Sequence, residues 1–490
     1  MNARYWDAIR PIRNQLRRFS FQSVLQALSA YLQVEVPDTD ERVRRLPWIA
    51  ERLVLVVLRD KPSMYGRERM TEKDLRVCLD RAWRSADTNF SMRHMRYPME
   101  LVVRQLMLAQ LPHQERVSMG AFGRQIDLLR RLGPGDRLRA YLESTFGIPL
   151  DDFLQLAAIF WLKAPGTIPE LLSRRYWQTL GQTYSPATAD RFSQRLMPEW
   201  QSVRGLVGEA DADEWFQPWI LYRLPFVRRD GSVFYFGSTS LRRNLEYAFS
   251  DAVSEAADVG VRQPFDDHFE AYIGESLARC VGETLNEKET RARFSVEGQC
   301  CDFAKIDGDD VVLFEVKNKT LAYDIPASAS VRGYRSKFKA TVVKAEKQLS
   351  NVARAVARTP GYERVRIYRV VVTSGDLMFG NADYLFDDAD ESSTKIVMLG
   401  IDQLDRLVEK ASRLGHCTIA SFLAELEARN SKPETALFFP QLLLFEHPYS
   451  LGASPVHLQA LFHGLEEDLA ARLNGAEEAQ TKTNAVLRAI

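Results

Sequence analysis

The sequence predicts an α/β core, in which helices flank a mixed central sheet, preceded by a large and mainly α-helical N-terminal domain. Three observations lead to this fold class. Apolar residues recur at helical spacing up to about residue 200. β-rich runs flank turn-forming residues at 217–238 and 301–317, which predicts two β-hairpins. Helical patterns then alternate with the β-branched runs 365–373 and 395–399, as expected for a sheet covered by helices.

Length and charge set the next limits. A chain of 490 residues has room for two or three domains. Its net charge is zero, but residues 1–250 contain 37 Lys+Arg against 28 Asp+Glu, and residues 251–490 contain 28 against 37. Residues 316–369 reverse this acidic balance, with thirteen basic and three acidic residues. Such a segment indicates either a polyanion partner or a solvated helix face.

The cysteines and the N-terminus bear on cellular location. Five cysteines are too scattered for a zinc site and odd in number: Cys78, Cys280, Cys300, Cys301 and Cys417. This usage is typical of free thiols in a reducing compartment. The first residues lack the apolar run of a signal peptide, and no apolar stretch reaches the length of a membrane span. We therefore expect a cytoplasmic protein with no membrane partner.

The first half of the chain divides into two predicted segments. Residues 1–205 form the mainly helical domain, and its basic residues are almost all arginine. Arginine suits phosphate and carboxylate equally, so this composition shows a capacity for contacts and not which partner is bound. A nucleic-acid-binding domain is one expectation; the other, a sensor or regulatory domain that a protein trigger or inhibitor would contact, comes from the resemblance of the architecture given below. Residues 206–260 form a hairpin-helix connector, with a helix from about Ser240 to Ala257.

The chemistry is predicted at the second hairpin, residues 301–317. Glu315 and Lys317 are two residues apart and so share one face of their strand. A Gly308-Asp309 or longer turn places Asp302 directly opposite Glu315, whereas an Asp307-Gly308 turn places it diagonally; either register keeps it on the face of Glu315. Like charges that face each other destabilise a sheet, so two carboxylates beside an ammonium call for a cation. Few, hard oxygen ligands suit Mg²⁺.

Asp302, twelve intervening residues and then Glu315-Val316-Lys317 resemble the motif of the PD-(D/E)XK nuclease superfamily, although Cys301 replaces the family's proline. The resemblance covers about residues 260–415. It implies a restriction-endonuclease-like core and a Mg²⁺-dependent endonuclease, with Mn²⁺ as a substitute. Asp302, Glu315 and the backbone carbonyl of Val316 would hold the metal, and Lys317 would orient or deprotonate the attacking water.

Two flanking helices supply the other candidate residues. A helix is predicted to open at Pro264, and Glu270 lies at the margin of its apolar face. It resembles the family's helix glutamate, which would bind a second ion or an outer water. Asp266, one turn earlier, is the competing candidate, or else a carboxylate favoured by the helix dipole. Gln348, on the predicted helix 345–356, resembles a family residue that supports the site or contacts substrate, with a core-edge glutamine as the alternative.

The resemblance also implies the division and partners of the second half. Residues 261–425 are the predicted nuclease domain, and residues 426–490 are a C-terminal helical extension. DNA is the expected substrate by analogy with the family. The predicted nucleic-acid-binding residues are basic positions after the hairpin: Lys319, Arg332, Arg335, Lys337, Lys339 and Lys344. The architecture resembles bacterial anti-phage defence effectors. An RNase of the same fold and an inactive nucleic-acid-binding or scaffold protein are the alternatives, and the oligomeric state is left open.

Overall fold

The chain forms two compact units, each discontinuous in sequence. The computed structural model describes residues 3–34, 36, 41, 44–93, 104, 107, 110, 113, 119–164, 173–207, 220–319, 336, 338–378, 396–413, 418–435, 440–444, 446 and 455–489. The first unit comprises Met1–Arg93, Ala109–Ala257 and His457–Ile490. The second comprises His94–Leu108 and Asp258–Val456. These units group the chain differently from the four consecutive segments predicted above, which stay predictions.

The first unit is mainly helical, as the sequence predicts. Its elements are, in chain order, α1 (Ala3–Leu16), α2 (Phe21–Gln33), α3 (Pro47–Arg59), α4 (Glu72–Arg93), α5 (Gly120–Arg131), α6 (Arg137–Phe146), α7 (Leu150–Lys163), α8 (Arg174–Thr183), α9 (Pro186–Leu196), α10 (Trp200–Leu206), β1 (Phe226–Arg229), β2 (Ser232–Tyr235), α11 (Ser238–Glu246) and α12 (Ala248–Glu255). The last helix of the chain, Val456–Ala489, belongs to this unit from His457 onward. Stacked aromatic rings fill part of its core, with Phe146 and Phe153 4.3 Å apart between ring centroids.

Two details of the connector differ from the prediction. Residues Ile220–Tyr222 form a 3₁₀ turn, so the first strand of the hairpin begins only at Phe226. The helix expected from Ser240 to Ala257 is two helices that meet at Tyr247. The buried side chain of Gln125 stabilises this break, because it donates to the carbonyl of Leu245 (2.7 Å) and accepts from the amide of Phe249 (3.0 Å).

The second unit contains a mixed five-stranded sheet flanked by helices. Its elements are α13 (Val259–Ala278), β3 (Glu283–Asn286), α14 (Glu287–Phe294), β4 (Phe303–Asp307), β5 (Asp310–Lys317), a π-helical turn (Lys339–Val343), α15 (Lys344–Arg358), β6 (Arg366–Thr373), β7 (Ile396–Gly400), α16 (Ile401–Arg413), α17 (Ile419–Asn430) and α18 (Pro440–Leu444). The long C-terminal helix Val456–Ala489 is α19, and short 3₁₀ turns lie at Pro62–Met64 and Pro433–Thr435. The strands follow the order β3-β4-β5-β6-β7; the first three are antiparallel, and β5, β6 and β7 run parallel.

Alternation along the strands places helices on both faces of this sheet. One face of the hairpin carries Ala304, Val311 and Leu313, which pack with the apolar stripe of α15 in a single buried cluster. The opposite face meets α13, α16 and α17; for example, the ring of Phe303 lies against Gly274 of α13. Because β5 is covered on both faces, its residues from Val311 to Val316 are all buried.

Three expectations about elements after residue 257 are corrected by the structure. Helix α13 begins at Val259 and not at Pro264, and Asp258 caps it by accepting from the amide of Gly260 (2.8 Å). Strand β3 and helix α14 were not predicted, so the meander has three strands where the sequence indicated a strand pair. The C-terminal helix expected over 455–473 extends to Ala489.

A search of the described residues for membrane spans finds no single helix that is long and apolar enough to cross a bilayer. The bent pair α6 and α7 passes the same test of length and composition only when its two helices are taken together.

Candidate active site at the end of the central hairpin

The register of the β4–β5 hairpin places Asp302 opposite Glu315. Asp307 pairs with Asp310, so Gly308 and Asp309 form a two-residue loop, in which Gly308 has φ +60°. Phe303 pairs with Phe314. The next position along the ladder therefore sets Asp302 against Glu315, on the face that also carries Ala304 and Leu313. Of the two registers that the sequence left open, the one with the Gly308-Asp309 turn is observed, and the ladder itself ends at Phe303, one residue short of Asp302.

Asp302 is fixed by the backbone of β5. Its amide donates to the carbonyl of Phe314 (3.1 Å), and its Oδ2 accepts from the amide of Val316 (2.6 Å). Burial raises the pKa of this carboxyl, while the Val316 amide and then Lys317 act to lower it. The carboxylate is thus held just before the first residue of β4, beside the part of β5 that extends past β4.

Glu315 is the most deeply buried acid of the site. Its side chain is 0% exposed, and Oε1 forms an ion pair with Nζ of Lys317. Its Oε2 has no hydrogen-bond partner of acceptable geometry among the residues that the structure describes, although Gln348 lies near enough to lower the pKa of the group. Burial and then the charge of Asp302 raise the pKa of Glu315 to about 7, against the opposing effect of Lys317. A buried carboxylate with one unpartnered oxygen is an energetically costly group that a cation would stabilise.

Helix α13 presents two carboxylates to the same region. Glu270 is exposed as a residue, yet partial loss of hydration and then the charge of Asp302 raise the pKa of its carboxyl, and Lys317 lowers it. Asp266 accepts a 2.6 Å hydrogen bond from Nδ2 of Asn318, the residue after Lys317. Burial raises the pKa of Asp266. Because α13 begins at Val259, Asp266 lies beyond its first turn, and the helix-dipole explanation for this residue does not apply.

Helix α15 holds the loop that precedes Asp302. Nε2 of Gln348 donates to the carbonyl of Cys300 (3.2 Å), and the buried Oε1 of Gln348 has no partner within the described ranges. One turn later, Nδ2 of Asn351 donates to the carbonyls of Glu297 (2.7 Å) and Gln299 (2.8 Å). Gln348 and Asn351 together clamp this loop, and sequence reasoning missed Asn351.

A further acid that the sequence analysis missed is Glu287, the first residue of α14. Its charge contributes to the raised pKa values of both Asp302 and Glu270, so it lies within electrostatic reach of them. The signal that was available is the capping box of Asn286 and Glu289, which marks a helix start at this point.

The predicted nucleic-acid-binding residues are only partly described. The carbonyl of Lys319 accepts from the amide of Gly375 (3.1 Å), which joins the segments that follow β5 and β6. Lys339 is exposed in the π turn, and Lys344 is exposed at the start of α15. Arg332, Arg335 and Lys337 lie outside the described residues.

The candidate ligands are oxygen atoms, which is the type that a hard cation prefers, but they are few. Across the described part of the chain, no group of three or more His, Cys, Asp or Glu residues is arranged to hold a metal ion. Asp302 and Glu315 supply two carboxylates. Backbone groups two residues apart on a strand point to the same side, so the amide and carbonyl of Val316 point to the β4 side of β5, as the carbonyl of Phe314 does. Strand β4 does not extend as far as Val316, so no β4 residue pairs with it. One or two carboxylates, with waters completing the shell, are sufficient for Mg²⁺.

Comparison of the chain with protein-family models, with curated proteins and with solved structures finds no match.

Proposed function

We propose that this protein is a metal-dependent endonuclease with a restriction-endonuclease-like core, which hydrolyses phosphodiester bonds of DNA in the cytoplasm, in anti-phage defence. The observation that carries the proposal is the pairing of Asp302 with the fully buried Glu315. The charge of Asp302 raises the pKa of the buried Glu315, and one oxygen of Glu315 has no partner in the described part of the chain. A divalent cation between the two carboxylates would stabilise this arrangement.

The element order of the second unit supports the proposed core. Helix α13, strand β3, helix α14, the β4–β5 hairpin, helix α15 and strands β6 and β7 follow one another, and helices cover both faces of the sheet. Apart from β3 and α14, this is the order of helices and strands that the sequence predicts. Asp302 and Glu315 lie at one end of the central strand, where the meander meets the parallel part of the sheet.

Each residue of the site would have a defined role in hydrolysis. Asp302, Glu315 and the carbonyl of Val316 would hold Mg²⁺, which supplies Lewis-acid activation of a phosphate oxygen and of the attacking water. Lys317, which forms an ion pair with Glu315, would stabilise negative charge that develops on the phosphate. Gln348 and Asn351 hold the loop before Asp302. Glu270, or its competitor Asp266, would bind a second ion or an outer water.

The test of this function is a cleavage assay on closed circular DNA and, in parallel, on linear DNA and RNA in single- and double-stranded form. Circular substrates report endonuclease cleavage directly. We expect cleavage of DNA with Mg²⁺ or Mn²⁺, loss of cleavage with a chelator, and loss with Asp302→Asn. Cleavage of RNA alone would identify the RNase alternative, and no cleavage of any substrate at saturating Mg²⁺ would contradict the proposal.

An inactive nucleic-acid-binding protein is the second candidate, and one observation favours it. Lys317 already neutralises Glu315 within the chain. An internally paired site needs no cation to offset that charge. Nucleic-acid binding that is the same with and without Mg²⁺, together with no metal binding by calorimetry, would favour this candidate over the enzyme.

A further inference from the structure

Helix α15 carries a stripe of exposed cations on one side. Lys344, Lys347, Arg354 and Arg358 are all exposed. At about 100° per residue they fall within an arc of about 80°. The first and last are fourteen positions apart, which is about 21 Å at a rise of 1.5 Å per residue. We refer to these four residues as the α15 basic ridge.

Within the described part of the chain, no carboxylate neutralises the ridge. None of its four residues has an ion-pair partner among the described residues, whereas other arginines at the surface of the second unit, partly or fully exposed, pair with a carboxylate four positions away. Such pairs are Arg291–Glu287 (2.7 Å), Arg413–Glu409 and Arg429–Glu425 (2.7 Å). The one acid on α15, Glu346, lies off the ridge at 3.7 Å from the buried Arg369. A linear array of unneutralised cations attracts a polyanion.

One end of the ridge lies at the candidate active site. Gln348 is one turn from Lys344 on the same helix, and it bonds the carbonyl of Cys300 and lowers the pKa of Glu315. Arg358 lies ten residues further along, which is about 15 Å. A polyanion that follows the ridge therefore has the two carboxylates at its end.

We propose that the α15 basic ridge is the track on which the phosphate backbone of a DNA duplex lies as it enters the candidate active site. This inference rests on the proposed function. Helix α15 has no aromatic residue, and base stacking on aromatic side chains is the usual means of binding single strands, so the ridge suits a backbone whose bases stay stacked within a duplex. Contacts of lysine and arginine to phosphate fix position without reading sequence.

The test replaces all four ridge cations by glutamine and measures binding to a 30-base-pair DNA of random sequence over a range of salt, without divalent cations. Four neutralised phosphates correspond to a change of up to about 3.6 in the slope of log K against log salt. We expect the variant to lose most of this slope and to bind at least 100-fold more weakly at low salt. Its divalent-cation affinity, measured by calorimetry, should equal that of the wild type.

A control matched in charge neutralises four cations that lie on α16 or directly after α13 and α17, on the opposite face of the sheet: Arg406, Lys410, Arg279 and Lys432. This control should keep the wild-type affinity and slope, and circular dichroism would verify that both variants are folded. An unchanged slope for the ridge variant, an equal loss in the control, or tighter binding of a single strand than of the duplex by the wild type would overturn the ridge. Wild-type protein that binds neither divalent cation nor DNA would instead overturn the proposed function, and the ridge with it.

Discussion

The Oδ2 atom of Asp302 accepts a 2.6 Å hydrogen bond from the backbone amide of Val316. Strand β4 begins only at Phe303, so Asp302 lies just before it. The side chain of Asp302 accepts from β5 at Val316, and its amide donates to the carbonyl of Phe314. The carboxylate is therefore positioned by the central strand itself. Since an asparagine at this position retains an accepting oxygen, its charge can be removed without removing the bond.

Asp302→Asn should accordingly separate chemistry from folding. We expect the thermal midpoint to stay within about 5 °C of the wild type, because the hydrogen bond remains and at most about 1 kcal/mol is lost. Cation binding should disappear in calorimetry, and cleavage should fall by at least about 100-fold. Asp309→Asn, in the loop at the other end of the same hairpin, is the matched control. Wild-type cation affinity in Asp302→Asn would show that this carboxylate is not a ligand.

Glu315 should make the metal-free protein less stable as pH rises. Its pKa is about 7 in the folded chain, above the usual value of 4.5 for glutamate. Between these values the folded state binds more protons than the unfolded state, so stability is greatest below about pH 4.5 and declines up to about pH 7. The shift corresponds to a contribution on the order of 3 kcal/mol.

Urea unfolding of the wild type and of Glu315→Gln at pH 5 and pH 8, in a chelator, measures this effect. The wild type should lose more stability than the variant between the two values, by an amount of that order. Added Mg²⁺ should restore the wild type at pH 8 and have no effect on the variant. Equal pH dependence of the two proteins would mean that Glu315 titrates normally and needs no cation.

The clamp formed by Gln348 and Asn351 should matter for cation affinity as well as for stability. Asn351→Ala removes two hydrogen bonds to the loop before Asp302, at a cost of about 1–2 kcal/mol. We expect a roughly tenfold weaker cation affinity, because the ligand loop is less restrained. Gln194→Ala removes an exposed helical amide that bonds Asp190, and it should leave cation affinity unchanged. Stability loss without any change in affinity would make Asn351 purely structural.

Lys305 should be important for folding and irrelevant to the chemistry. Its buried Nζ donates to the carbonyls of Leu277 (3.1 Å), Cys280 (3.2 Å) and Gly282 (3.4 Å), at the C-terminal end of α13. Lys305→Met leaves these acceptors without their cation, so we expect destabilisation by about 3 kcal/mol. Cation affinity of the folded protein should be unchanged. A folded Lys305→Met variant that has lost cation binding would contradict this division of roles.

Local patterns predicted the hairpin because the Asp-Gly turn signal and the two-residue period of a strand both lie within seventeen residues. They did not predict β3, since four residues from Glu283 are too few for a clear alternation, and Glu287 was missed with it. The break at Tyr247 depends on Gln125, more than 100 positions away, which no local pattern contains. The burial that leaves Oε2 of Glu315 without a partner likewise arises from packing of α15 over the sheet, and only the folded chain reveals it.

The most direct test of the central claim is the crystal structure of the protein soaked with Mn²⁺, with anomalous data recorded to locate the ion. The account predicts one strong peak at about 2.0–2.2 Å from carboxylate oxygens of Asp302 and Glu315 and from the carbonyl of Val316. It also predicts that the ion pair between Lys317 and Glu315 is broken or shared with another group. An ordered hairpin with Lys317 still bonded to Glu315, and no anomalous peak between the two carboxylates at saturating Mn²⁺, would contradict it.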